Sequence, residues 1–174
     1  MQRLFIFAIF TIFLTLSCAQ RPKMHHPQPE FSASEQVLRV FFASVDAYLK
    51  QDMQRLSAYV APTWGKLDKG QTKNSYNNKD FHTLVYGKFF TNDDQAKTLK
   101  WLAESQSEIK IAGKYQVNQA NSTDSFQLIN YSEHIKSDDC ILLIPSLDNL
   151  NEPKLLLIIS RMDNIWKIVA AEIL

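Results

Sequence analysis

The spacing of apolar positions changes period once along the chain. Between Ser32 and Lys50, Val37, Phe41, Val45 and Tyr48 recur at helical spacing, and Leu38, Val40, Phe42 and Leu49 widen the stripe. Ser32 and Glu35 stand at capping-box spacing, so the pattern predicts an amphipathic helix over 34–50. Asp52 opens a second, short helix, MQRLSAYV, which Pro62 ends. Residues 63–79 are polar, hold Gly65, Gly70 and Asn77-Asn78, and read as a loop. DFHTLVYGKFF (80–90) reads as a short helix broken near Gly87. DDQAKTLKWLAE (93–104) reads as a helix with an aspartate cap and with Leu99 and Leu102 on one side.

Past residue 107 the period becomes two. EIKIAGKYQV (108–117) sets Ile109, Ile111, Tyr115 and Val117 against Lys110, Lys114 and Gln116. NQANSTD is a turn, SFQLINYSEHI (125–135) a second strand, and CILLIPSL (140–147) a third. KLLLIISRM (154–162) and IWKIVAAEIL (165–174) flank a tight turn at Asp163-Asn164. Leu155–Ile159 is apolar at every position, which predicts a strand covered on both faces. Helices followed by antiparallel strands make the class α+β, with helix 34–50 packed on a sheet drawn from 107–174.

Composition narrows the function. The chain has 174 residues, is 45% hydrophobic and carries a net charge of +1, which suits one domain with a sizeable core. The 4 glycines form neither a dinucleotide fingerprint nor a phosphate loop. There is no Lys/Arg run and no basic-aromatic interleaving, so nucleic acid is not an expected partner.

The N-terminus predicts an address. Arg3 precedes LFIFAIFTIFLTL (4–16), an uncharged run short of the roughly 20 residues a spanning helix needs and suited to a signal peptide. Ser17 is the small residue before Cys18. LTLSC (14–18) resembles the lipobox of bacterial lipoproteins, departing from it at Thr15, where that family usually has leucine. The resemblance implies a signal peptide over 1–17, palmitate and other acyl chains on Cys18, and a lipid-anchored mature chain. Ala19, in place of aspartate, implies by the same resemblance the outer membrane, facing the periplasm. Removing Arg3 leaves 18 basic against 18 acidic residues, so the mature chain is neutral. Residues 18–31 hold Pro22, Pro27 and Pro29 and read as a tether to the domain at 32–174. At about 3.1 Å per residue, its residues 19–29 span roughly 30 Å. His25-His26 reads as solvated linker, without the further ligands a metal needs. The other of the 2 cysteines, Cys140, heads an apolar run and reads as an inert thiol; a disulfide to Cys18 is the alternative.

FFASVDAYLKQDMQRLSAYVAP and the closing Asn164-Ile165-Trp166-Lys167-Ile168-Val169 resemble the nuclear transport factor 2-like (SnoaL-like, cystatin-like) superfamily over residues 33–174. The resemblance implies a cone: N-terminal helices packed on a curved antiparallel sheet of four to five strands. Residues 63–92 lack the strand that fold usually inserts there. No catalytic motif of that superfamily carries over to any residue here.

Candidate ligand-binding residues are therefore weighed singly. His82 and Tyr86 stand near Asp80, although positions 80 and 82 do not share a helix face; a capping aspartate beside a surface histidine is the plainer reading. His134 adjoins Glu133, which points to the other face of a strand. Glu172 shares a strand face with Trp166 and Ile168. That would make it a lone carboxylate in an apolar cavity, unless it lies at a frayed end. Asp138-Asp139 reads as a turn. No metal spacing, cofactor motif or nucleophile elbow occurs. The expected function is a non-catalytic envelope lipoprotein that binds a partner protein or a small apolar ligand. The alternatives are a small hydrolase- or isomerase-type pocket enzyme with a His/carboxylate couple, and an immunity-type inhibitor. The apolar fourth strand also predicts a homodimer through an uncovered sheet face, unless the helices at 80–104 cover it.

Overall fold

The computed structural model describes residues 32–90, 95–114 and 128–174. The expected signal peptide, Cys18, the tether, Tyr115 and Val117 lie outside these residues, as do the turn at 118–124 and Asp93. Helix α1 spans Ala33–Leu49, and its capping box is closed: the Glu35 amide donates to Ser32 Oγ at 3.3 Å and the Ser32 amide to Glu35 Oε2 at 2.7 Å. It buries Val37, Phe41, Ser44, Val45 and Ala47. Gln51, in the left-handed region at φ 56°, turns the chain into α2, Met53–Tyr59, capped by Asp52.

Two expectations fail next, for linked reasons. Pro62 does not end α2. The helix stops at Tyr59, and Pro62 lies inside strand β1, Val60–Asp68. It is tolerated because no ladder pair falls on it: pairing to the C-terminal strand is interrupted between Val60 and Gly65, and pairing to the other neighbour begins at Thr63. Nor is 63–79 a loop. β1 and β2 (Gln71–Asn77) form a hairpin whose turn residues, Lys69 (φ 51°) and Gly70 (φ 77°), are both left-handed. β2 exposes every side chain except a half-buried Tyr76, so it lacks the apolar alternation that marks a strand.

The chain then coils through a 3₁₀ turn (Asn78–Asp80), a π-helical turn (His82–Tyr86) and an α turn (Gly87–Phe89). Gly87 is helical at φ −64°, so no break occurs there. Helix α3, Gln95–Ser105, buries Thr98, Trp101 and Ser105; Leu99, expected inside, is 52% exposed. Strand β3 is Lys110–Gly113. The described part of the expected strand 125–135 is instead a 3₁₀ turn (Leu128–Tyr131) followed by turns. Its buried residues, Tyr131 and Ile135, stand four apart, and Glu133 between them, which would share their face in a strand, is exposed. β4 (Cys140–Pro145), β5 (Pro153–Met162) and β6 (Ile165–Ile173) follow the expected pattern, and Asp163 and Asn164 both have positive φ in the β5–β6 turn.

The fold is α+β with one six-stranded sheet, one strand more than expected, in the order β2-β1-β6-β5-β4-β3. Only β1 and β6 run parallel; the other described pairs are antiparallel. One sheet face carries Trp64, Leu142, Ile144, Leu155, Leu157, Ile159 and Ile168 against α1, α2, the 81–90 coil and Trp101. The other carries Leu67, Ile141, Leu143, Leu156 and Ile158 against Tyr131 and Ile135. β5 is thus buried on both sides, with Leu155–Ile159 at 0% exposure. The cover of the second face includes the 128–139 segment; the helices of 80–104 pack on the first. On the face from which the homodimer expectation is drawn, Leu156 and Ile158 are buried in a cluster with Tyr131 and Ile135.

Candidate functional site

Three tryptophans and a run of other rings organise the helix-side face. Trp64 packs between Tyr76 (5.4 Å) and Phe81 (5.1 Å), Phe81 against Tyr86 (5.0 Å), and Phe90 against Tyr48, Tyr86 and Trp101. Each indole N–H is satisfied: Trp64 donates to Asn77 O at 3.0 Å, Trp101 to Ser146 O at 3.1 Å and Trp166 to Gln36 Oε1 at 2.8 Å. These bonds tie loops and α1 to the core, so Trp166 serves packing.

At the end of this ring cluster lies a cleft of about 520 Å³. Tyr48, Leu49, Met53 and Phe90 give it an apolar lining; Gln51, His82, Gln95 and Thr98 give it a polar one. The left-handed turn at Gln51 separates α1 from α2 and brings Leu49 and Met53 to the same opening. No carboxylate and no Lys or Arg lines it among the described residues.

His82 is the one sequence candidate that the cleft includes. Its Nδ1 lies 2.8 Å from Lys79 O, which only accepts, so Nδ1 carries a proton. Nε2 lies 2.9 Å from the Thr83 hydroxyl, which bonds the ring's other side. Asp80 is exposed and makes no hydrogen bond to this ring. The other candidates are not brought to His82. Tyr86 is fully buried, and its hydroxyl lies 2.6 Å from Ser44 Oγ, which donates onward to Phe41 O at 2.7 Å. Burial pushes this phenol well above its ordinary range, and the Ser44 bond only partly opposes that. His134, expected on a strand, is half-buried in a turn where its amide donates to Tyr131 O at 2.9 Å.

Glu172 corrects the reading most sharply. A bulge in β6 pairs Ile159 with Ile168 but Ile158 with Ala170, leaving Val169 without a partner across the ladder. The extra residue flips every later side chain, so Glu172 points away from the face of Trp166 and Ile168. It is 6% exposed on the second face and fully engaged there. Oε1 accepts from the Lys69 amide at 2.6 Å; Oε2 accepts from the Gly70 amide at 3.2 Å and the Tyr131 hydroxyl at 2.9 Å. The carboxylate fills the nest made by the left-handed hairpin turn. Burial, then the bond to Glu172, raises the Tyr131 phenol above its ordinary range. Glu172 is a clamp on the β1–β2 hairpin. Sequence gives no sign of the bulge, because Ile168-Val169-Ala170-Ala171 is apolar in either register.

Cys140 is a free, half-buried thiol, raised chiefly by burial and then by neighbouring Asp139. Among the described residues no group of three or more His, Cys, Asp or Glu side chains is placed to hold a metal, and no helix is long and apolar enough to cross a membrane.

No family model matches the chain, and no curated protein does. Among solved structures it is similar to an NTF-2-like protein of unknown function from Shewanella oneidensis MR-1, with a TM-score of 0.35 and 10% identity over 81% of this chain and 98% of that one. A likeness at this level carries no weight for the site.

Proposed function

We propose that the domain is a binding module that receives a small, uncharged, partly apolar ligand, or one such side chain of a partner protein, in the cleft between α1, α2, His82 and α3. The observation that carries this reading is the pairing of an apolar floor with uncharged polar groups in a concavity of about 520 Å³, within the range of small-molecule sites. A His/carboxylate couple is the minimum for the pocket-enzyme alternative. The ring nitrogens of His82 are instead engaged by a carbonyl and a hydroxyl.

The address belongs to the same proposal. The lipobox-like LTLSC supports acylation of Cys18 and an envelope location, with the Pro-rich 18–31 segment as tether. The nuclear transport factor 2-like assignment is supported by α1 packed on one face of a sheet that ends in the Trp166-Lys167-Ile168-Val169 strand.

The test is site-specific photocrosslinking in the full chain, produced in cells with an intact envelope. A photoreactive residue in place of Met53, at the cleft, should give a discrete adduct that Thr98→Trp removes by filling the space. The same group in place of Lys100, on the exposed side of α3, should give none. Equal adducts at both positions, or none at Met53, would overturn the reading. A turnover lost specifically in His82→Gln would replace it with the pocket enzyme. An acyl-chain probe should label the wild type and not Cys18→Ser; equal labelling would end the lipoprotein proposal.

A further inference from the structure

The small net charge of the chain, +1, conceals a local excess of positive charge. From Val60 to Asn77 the hairpin carries Lys66, Lys69 and Lys73 against Asp68 alone. Part of this charge is gathered in a second cleft, of about 310 Å³, that shares no lining residue with the first. Lys66, Leu67 and Asp68 reach it from β1, Lys73 and Asn74 from β2, and Lys88 from the helical coil; Ile173 of β6 adds to the apolar wall.

The charges in this cleft do not cancel. Asp68 is taken by an ion pair with Lys73 across the hairpin. Lys66 and Lys88 form no ion pair with any described residue. They come from different elements and line the same concavity, and Lys66 is half-buried there. Holding two like charges at one opening is unfavourable unless an anion sits between them. The pairing that places Lys66 is firm. Lys66 pairs with Ala171 in the parallel β1–β6 ladder, and on the far face Glu172 clamps the hairpin turn through Lys69 and Gly70. Half-buried Lys66 and exposed Lys88, beside an amide and a short apolar wall, suit a compact anion with a small organic group attached.

We propose that this cleft is a binding site for a phosphate group, with Lys66 and Lys88 as its cationic ligands and Ile173 against the organic part of the molecule. The site is independent of the apolar cleft, so either can fail while the other stands. A free phosphorylated small molecule and a lipid headgroup present the same chemistry, and the test separates them.

The full chain, dispersed in a neutral detergent, is titrated calorimetrically with inorganic phosphate and, in a second arm, with soluble dihexanoylphosphatidylglycerol. Saturable binding of either probe is expected. Lys66→Gln and Lys88→Gln should each weaken it about tenfold, the loss of one charge-assisted contact. Lys100→Gln, on α3, should leave it unchanged. Preference for inorganic phosphate assigns a free phosphorylated molecule; preference for the lipid assigns a headgroup. If neither probe binds saturably, or binding persists in the Lys66→Gln/Lys88→Gln double variant, the proposal is overturned. Circular dichroism of the variants separates lost binding from lost fold.

Discussion

The two ends of the sheet are built on opposite terms. β4, β5 and β6 are apolar strands held by burial: Leu155–Ile159 sits at 0% exposure between two hydrophobic clusters. β2 exposes almost every side chain, and its hairpin with β1 is held by one packed tryptophan, a backbone ladder and a buried carboxylate. The first region resists change because many contacts share the load. The second depends on a few named groups, and both clefts draw on the chain at or next to it. Both proposed sites lie beside the part of the fold that hydrophobicity specifies least.

Breaking the apolar region should have the largest effect. Phe41 is 0% exposed in the α1 face against the first cluster. Phe41→Ala should cost about 3–5 kcal/mol, read as a shift of the chemical-denaturation midpoint with unchanged slope. A midpoint that does not move would mean that the helix does not pack as described.

The clamp between the regions should come second. Glu172→Ala strips three donors of their acceptor: the Lys69 and Gly70 amides and the Tyr131 hydroxyl. A cost of about 3 kcal/mol is expected, since each buried orphaned group loses about 1–3 kcal/mol before relaxation or hydration recovers part of it. Hydrogen exchange sharpens the comparison: amides of β1 and β2 should lose protection while those of β5 keep theirs. Uniform loss would show that the hairpin and the apolar strands unfold as one unit. Gly70→Ala should act on the same region, because φ is 77° and an added Cβ would lie 2.5 Å from Asn130 O.

The same contrast explains what the sequence discloses. α1, α2 and β4–β6 are legible because one buried stripe or face writes a period of 3.6 or 2 into the chain. The β1–β2 hairpin is not legible, because a solvated edge strand such as QTKNSYN imposes no apolar period. Its turn was still marked by Gly70. The 128–135 segment misleads through Tyr131 and Ile135, whose spacing fits a turn packed on a sheet. Of the candidate residues, His82 reaches a cleft, whereas Glu172 was placed on the wrong face by a bulge that leaves no trace in composition. The second cleft draws on lysines from three separate elements, and no local motif announces such a convergence.

At the edge of the apolar region the cap of α1 offers a smaller test. Ser32→Ala removes the acceptor for the Glu35 amide and half of the capping box. About 1 kcal/mol is expected by denaturation, with no change in either cleft. An effect as large as that of Phe41→Ala would mean that the helix start is coupled to the core, in place of ending in solvent.

The smallest effect belongs to the hairpin's own ion pair. Lys73 bonds the Asp68 carboxylate and holds it below its ordinary value of 3.8; desolvation opposes this, and attraction from Lys73, Lys69 and Lys66 adds to it. A carboxyl lowered by folding contributes stability that is fully present above the unfolded value. That contribution fades as pH falls from about 4 through the lowered folded value. Both partners are largely exposed, at 58% and 44%, so water and salt screen the pair. Asp68→Asn should therefore leave the neutral-pH midpoint nearly unchanged. A carboxyl-detected NMR titration should place Asp68 below the ordinary aspartate value at low salt and return it toward that value in molar sodium chloride. Titration at or above the ordinary value in low salt would mean that Lys73 does not close across the hairpin. The positive excess in the second cleft would then be smaller than described, because Asp68 would be free to face Lys66.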